Sequence, residues 1–178
     1  MVSFRRVTNA EKKSIKITII PAKDAEGPYK ERLLAFNYTR PNLPAELFTE
    51  ILRRAAKLMG LPGPGDNIEH ASKRFSSDVL KIEILGATQQ HCSFVDVPGL
   101  YHNPTKEQTA SDLTRVRTLI ENYVNDERTI ILAVLDSRNN LANQEVFHIA
   151  KARDPDQTRT IGIMTKLDAL QAGDEQAV

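Results

Sequence analysis

Val95-Asp96-Val97-Pro98-Gly99 comes directly after Cys92-Ser93-Phe94, so a mostly apolar strand ends in D-x-P-G. A strand carries Asp96 to its carboxyl end, where open α/β sheets bind ligands. Pro98 fixes the turn and removes one backbone donor. Gly99 lets the main chain approach a ligand and offers an unshielded N–H. A carboxylate followed by a free amide suits a metal-bound phosphate. The acid holds Mg²⁺ through water, and the amide meets a terminal phosphate oxygen. D-x-x-G arises about once by chance in a chain of this length, and the proline thins chance matches about twentyfold. Taken alone, the stretch reads equally well as a strand-to-turn corner.

A second motif lies 72 residues downstream of Asp96, where Thr160-Ile161-Gly162-Ile163-Met164 runs into Thr165-Lys166-Leu167-Asp168. A [N/T]-K-x-D turn after a strand can read guanine. The Asp168 carboxylate accepts from N1–H and the exocyclic amine, while the Lys166 stem lies along the ring. Bidentate base reading of this kind is worth about 1–3 kcal/mol of discrimination, by analogy with side chain–base contacts in DNA. An isolated T-K-x-D is more simply a solvated turn. Two such motifs in order, each at the end of a strand, favour a nucleotide.

The 178 residues suit one domain of ordinary size, and 40% hydrophobic with 26% charged residues is a soluble globular composition. A net charge of +1 gives no argument for nucleic acid or an acidic membrane, and no nucleic-acid partner is expected. One cysteine, Cys92, excludes an internal disulfide, and its place in an apolar strand predicts a small buried side chain. Met1 to Lys16 is polar and basic without an apolar signal region, and no run approaches the length of a membrane span. These features predict a cytoplasmic protein. His70, His91, His102 and His148 show no metal-ligand spacing.

In chain order, Ser14 to Ile20 alternates as a half-buried strand stopped by Pro21, and Tyr29 to Phe36 suits a short helix. Pro44 fits a first helical position, followed by the apolar face Leu47, Phe48, Ile51, Leu52, Ala55, Leu58 and Met59, with Gly60 and Pro62 as the stop. The loop Leu61 to Gly65 contains no G-x-x-x-x-G-K-[S/T]. Asp78 to Leu85 reads as a strand, and a turn through Gln89-Gln90 predicts a hairpin with Cys92 to Val95. Tyr101 to Lys106 is a polar loop where a ligand-sensing switch would lie, and Thr105 with Gln108 fits a capping box. Leu113, Val116, Leu119, Ile120, Tyr123 and Val124 outline a helix. Thr129 to Leu135, almost all apolar, predicts a strand buried on both faces, and Asn143 an N-cap. Alternating strands and helices with chemistry at the carboxyl ends make a doubly wound α/β pattern.

The run Phe94 to Leu100, then Ile131-Leu132-Ala133-Val134, Leu141-Ala142-Asn143, Ala150-Lys151 with Asp154-Pro155, and Arg159 to Asp168 resembles the GTPase domain of the dynamin superfamily, and is similar to its Mx-like members in fungi. The match is dense over residues 75–173 and loose over 1–60. It implies an α/β fold, a partial P-loop NTPase-type G domain with a mixed, mostly parallel sheet flanked by helices. It implies GTP and Mg²⁺, hydrolysis assisted by G domains pairing across the nucleotide, self-association, and work on membranes or microtubules, with recruitment to them from the cytoplasm. By position, Asp96 is the Mg²⁺ ligand, Gly99 the γ-phosphate amide, and Thr165, Lys166 and Asp168 the guanine-reading turn. Leu100 stands where small GTPases place a water-orienting glutamine, which dynamins also lack. Gln171 replaces an acidic residue that commonly supports the cross-dimer contact.

No phosphate loop and no first-switch threonine occur among the 178 residues, and Val2 to Arg6 resembles the segment just after that threonine in the family. Residues 1–178 are therefore expected to be the middle of a G domain, without stalk or lipid-binding part, and inactive in hydrolysis alone. In the family, the strand before the phosphate loop lies between the Asp96 strand and Thr129–Leu135, so a gapped or re-paired sheet is expected. The alternatives are a non-hydrolysing remnant that pairs with full-length relatives, or an unrelated α/β binding domain.

Overall fold

A computed structural model describes residues 1–6, 13–66, 73–98, 110–138 and 144–169. Gly99, the 101–106 loop, the Thr105–Gln108 capping box and Asn143 lie outside the described residues. The chain divides into two compact units, residues 1–96 and 97–178, and the D-x-P-G stretch spans their boundary.

The first unit is a five-stranded mixed sheet with two helices. Its strands are β1 (Val2–Arg6), β2 (Ser14–Ile20), β3 (Asn37–Arg40), β4 (Val79–Gly86) and β5 (Cys92–Phe94), in the order β3-β2-β4-β1-β5. The helices are α1 (Gly27–Leu34) and α2 (Ala45–Met59). β1 pairs parallel with β4 and antiparallel with β5, and β2 pairs antiparallel with β3 and β4. Period-2 alternation sends Ile17 and Ile19 of β2 into a core with Leu33 of α1, Phe36, and Ile51, Ala55 and Met59 of α2. The sequence reading of β2, α1 and α2 holds. Pro44, however, is the N-cap of α2 rather than its first residue: φ −57° with ψ 152° is extended, and its carbonyl accepts the Phe48 N–H at 2.9 Å.

Gly60 ends α2 at φ 72°. Leu61 N–H bonds the Ala56 carbonyl at 2.8 Å and Gly60 N–H the Lys57 carbonyl at 3.2 Å, the two bonds of a Schellman motif. Lys73 Nζ takes the Met59 carbonyl at 2.9 Å. Beside it, buried Asp78 accepts from Tyr29 Oη, Ser76 Oγ and the Ala22 N–H, which ties α1, the β2 end and β4 together.

The expected β4–β5 hairpin is not formed. β1 inserts between the two, with Phe4 opposite both Ile84 and Cys92. Five register positions along β4 outweigh the short direct pairing a three-residue β5 offers. Phe4 and Phe94 meet edge to face at 6.1 Å, the Ser3 and Ser93 hydroxyls bond at 2.8 Å, and Arg6 Nε donates to the Ala87 carbonyl at 2.9 Å. β5 thus becomes an edge, and Cys92 is exposed rather than buried.

The second unit holds α3 (Ala110–Val124), β6 (Ile131–Asp136), α4 (Glu145–Arg153), β7 (Thr160–Thr165) and a 3-10 turn (Leu167–Ala169). β6 and β7 pair parallel, with Ile131 opposite Thr160 and Asp136 opposite Thr165. Val116, Ile120 and Val124 of α3, Ile131, Ala133 and Leu135 of β6, and Ile149 and Ala150 of α4 are buried. α4 packs on β6 and α3. β6 alternates strictly, with Leu132 48% and Val134 53% exposed. It is covered on one face, not two. α4 lies against its odd-numbered side chains, with Ala133 and Leu135 beside Phe147 and Ala150, while Leu132 and Val134 stay half-exposed. Among the described residues the strands fall in two sheets, one in each unit.

Candidate functional site

The T-K-L-D stretch sits where β6 and β7 end side by side. Parallel pairing through Asp136 and Thr165 sets the register, and the main chain extends it, with the Ser137 N–H on the Thr165 carbonyl at 3.1 Å. Thr165 is half-buried, and its hydroxyl donates to the Leu135 carbonyl at 3.0 Å, locking the turn to the neighbouring strand. Lys166 comes next at φ 60°, a left-handed conformation that costs a side-chain-bearing residue about 1–2 kcal/mol. It follows β7 directly and leads into the 3-10 turn containing Asp168, whose side chain is exposed.

Sequence reasoning missed Asp136 and Arg138. Asp136 Oδ2 accepts from Lys166 Nζ at 2.7 Å and from Arg138 Nη2 at 2.7 Å, while Oδ1 accepts from Arg138 Nε at 3.0 Å. Its main chain is clasped by the Gln144 amide, which takes the Asp136 N–H and donates to its carbonyl, both at 3.0 Å. The bonds from Arg138 first, and then Lys166, hold the Asp136 carboxyl far below the usual carboxylate range. Asp136 in turn holds the Arg138 guanidinium above its ordinary value, and the Asp168 charge adds to this. The available signal was spacing. Two parallel strands that end in Leu-Asp and Met-Thr-Lys bring an acid and a base together when their ends align.

Asp96 lies in the other unit, two residues beyond β5, and is exposed. Among the described residues no hydrogen bond engages its carboxylate, and no cluster of three or more metal-ligating side chains occurs. The Met1 ammonium is near enough to feel the Asp96 charge, and an exposed carboxylate with no second acidic ligand beside it fits Mg²⁺ only as a ligand through water. That suits an ion that keeps most of its own hydration and takes its remaining oxygens from phosphates. The described residues bring together Thr165, Lys166 and Asp168, while Gly99 is not among them.

The family model described as "Dynamin family" matches residues 62–167, more than half of the chain, taking in D-x-P-G and all but the last residue of T-K-L-D. Dynamin-related protein 3B of Arabidopsis thaliana is 34% identical over 129 residues, 72% of this chain and 15% of that protein. Dynamin-1-like protein of Danio rerio is 30% identical over 108 residues, 61% of this chain and 16% of that one. Interferon-induced GTP-binding protein Mx of Dicentrarchus labrax is 30% identical over 118 residues, 66% of the chain and 17% of the relative. The matched segment thus spans less than a fifth of these relatives' lengths. With the α/β architecture, and with a T-K-L-D turn seated at the strand end where the matched region closes, the chain belongs to the dynamin family.

Proposed function

We propose that residues 1–178 form the base-reading and Mg²⁺-facing part of a GTP-binding, GTP-hydrolysing unit that self-associates and acts on membranes or filaments. The observation that carries this reading is the turn after β7, with Thr165 bonded to Leu135 and Lys166 held at Asp136. Such a turn presents Asp168 as a two-oxygen acceptor for the N1–H and 2-amino groups of guanine. Asp96 would hold the waters of Mg²⁺, and Gly99 would donate to the terminal phosphate. The metal, when bound with GTP, offsets negative charge on the phosphates. No G-x-x-x-x-G-K-[S/T] occurs in these residues, so the several bonds that such a loop gives to phosphates are not supplied by them. Three or four hydrogen bonds to charged groups amount to about 5–10 kcal/mol, so the chain by itself should hold GTP weakly and hydrolyse none.

A ¹⁵N-labelled chain titrated with guanosine monophosphate and, separately, adenosine monophosphate at millimolar concentration tests the base reading. Shifts at amides 165–168 with the guanine compound alone, abolished in Asp168→Ala, are expected. Equal shifts with both nucleotides, or none, would remove it. A second reading, a non-hydrolysing module that pairs with other dynamin-like G domains, draws on the exposed apolar residues Phe94, Leu132, Val134 and Ile161. Its check is retention of a full-length relative on the immobilised chain.

A further inference from the structure

Asp136 is the most heavily restrained side chain at the end of the β6–β7 pair. Arg138 grips it with its backbone N–H at 3.1 Å, with Nε at 3.0 Å and with Nη2 at 2.7 Å. Gln144 fixes its main chain from both sides. Lys166 is the opposite case: its side chain is 53% exposed, its backbone is in a disfavoured region, and among the described residues its ammonium bonds Asp136 alone. A flexible four-carbon stem carrying a strongly hydrated charge does not hold one position in water without an anchor. The rigid member of the pair therefore sets the place of the mobile one.

We propose that Asp136 is a positioning residue for purine binding: it anchors the Lys166 ammonium, so that the Lys166 stem stays where a purine ring stacks against it. This rests on the reading of Thr165 to Asp168 as the base-reading turn. The resulting division of labour is specific. Asp168 distinguishes guanine from other bases through its two acceptor oxygens. Asp136, acting through an apolar stem, contributes to affinity for any purine and adds no preference among them.

The test uses the full ¹⁵N-labelled chain and two probes, guanosine and inosine monophosphates, which share N1–H and differ in the 2-amino group. Asp136→Asn should weaken both by the same factor, about fivefold, as expected for loss of one exposed ion pair. Lys166→Ala, which deletes the stem as well as its charge, should weaken both by at least as much, and adding Asp136→Asn to Lys166→Ala should change nothing further. Asp136→Glu should keep most of the affinity. The β6–β7 amide pattern of each variant reports that the strands still pair. Unchanged affinity in Asp136→Asn, or effects of the two substitutions that multiply, would overturn the anchoring role. Failure of the base reading looks different: guanosine monophosphate leaves amides 165–168 unmoved, or Asp168→Ala leaves the guanine-to-hypoxanthine ratio unchanged. In that case the anchoring proposal falls with it.

Discussion

Arg159→Ala should unlock the second unit while leaving the first untouched. The Arg159 guanidinium donates to the carbonyls of Arg153 at 2.8 Å and of Val124 and Thr129 at 2.9 Å, and reaches Asp126 at 3.5 Å. Val124 and Arg153 are the last residues of α3 and α4, so one cation closes two helix ends and the loop that enters β6. A hydrogen bond from a charged donor is worth about 1.5–3 kcal/mol. The side chain is half-buried and the freed carbonyls recover some water, so the lower end of that range applies. Three good bonds that are not strictly additive then give about 3–4 kcal/mol, a large share of the stability of any small unit. The main-chain bonds of Arg159, from its N–H to Asp154 Oδ2 at 3.0 Å and from the Ile131 N–H to its carbonyl at 2.8 Å, survive the substitution. Hydrogen exchange read by mass spectrometry resolves the two units. Amides of Glu145–Arg153 and Thr160–Thr165 should exchange a few hundredfold faster (about 150- to 700-fold), and those of Ser14–Ile20 at the wild-type rate. Arg159→Lys should recover about half, because a point ammonium cannot span three acceptors. Protection in β7 within threefold of wild type, or an equal loss in β2, would refute the reasoning.

Asp78 supplies a pH dependence in the first unit. Burial pushes its carboxyl up, but bonds from Ser76, Tyr29 and the Ala22 N–H, with Lys73 nearby, outweigh this and leave it lowered. Its stabilisation is therefore present above about pH 4 and lost as the pH falls below that; Asp78→Asn should flatten the acid limb of a melting-temperature profile and lower stability at pH 7 by about 1–3 kcal/mol. Burial, and then the bond to Asp78, push Tyr29 up to about 12, so its share is intact below pH 10 and fades as the pH rises towards 12; absorbance titration of Tyr29→Phe should lack the latest phenol. Gly60→Ala should cost about 1 kcal/mol in urea unfolding. A Cβ there meets only Lys73 Cδ at 3.7 Å, so the cost is backbone strain at φ 72° rather than a clash.

Local rules carried the elements well. Ser14–Ile20, Ala45–Met59, Ala110–Val124 and Thr160–Thr165 all lie where alternation or helical spacing puts them. Partnership between strands was less legible. Met1 to Lys16 reads as polar and basic, yet within it Val2 and Phe4 alternate with polar residues, and β1 displaces β5 from β4. Pairing depends on which strand offers the longer ladder, and that is a property of the assembled sheet. At the candidate site, the T-K-L-D turn was visible because its chemistry is contiguous in sequence. Asp136 was not, because it meets Lys166 across 30 residues and through a register that only the paired strands define.

The misjudged burial of Thr129 to Leu135 stems from the same limit and leads to a sharper test. An almost continuous apolar run signals a strand meant to be covered on both faces, but it does not name the cover. Leu132, Val134, Ile161 and Ile163 are between 38% and 53% exposed and share one face of the β6–β7 pair. Each has about half its burial unrealised, or about 1 kcal/mol per side chain. Substitution here should therefore be cheap: Ile161→Ala should cost under about 1 kcal/mol, against about 1–3 kcal/mol for Val116→Ala, where the side chain is 2% exposed. The same face should drive self-association, since contiguous exposed apolar surface seeks a partner. Sedimentation velocity of Leu132→Lys with Ile161→Lys should show less oligomer than the unmodified chain at equal concentration, with unchanged helical signal. A large stability loss from Ile161→Ala would mean that the face is already covered in solution, and equal costs at Ile161 and Val116 would refute the one-sided packing of β6 and β7.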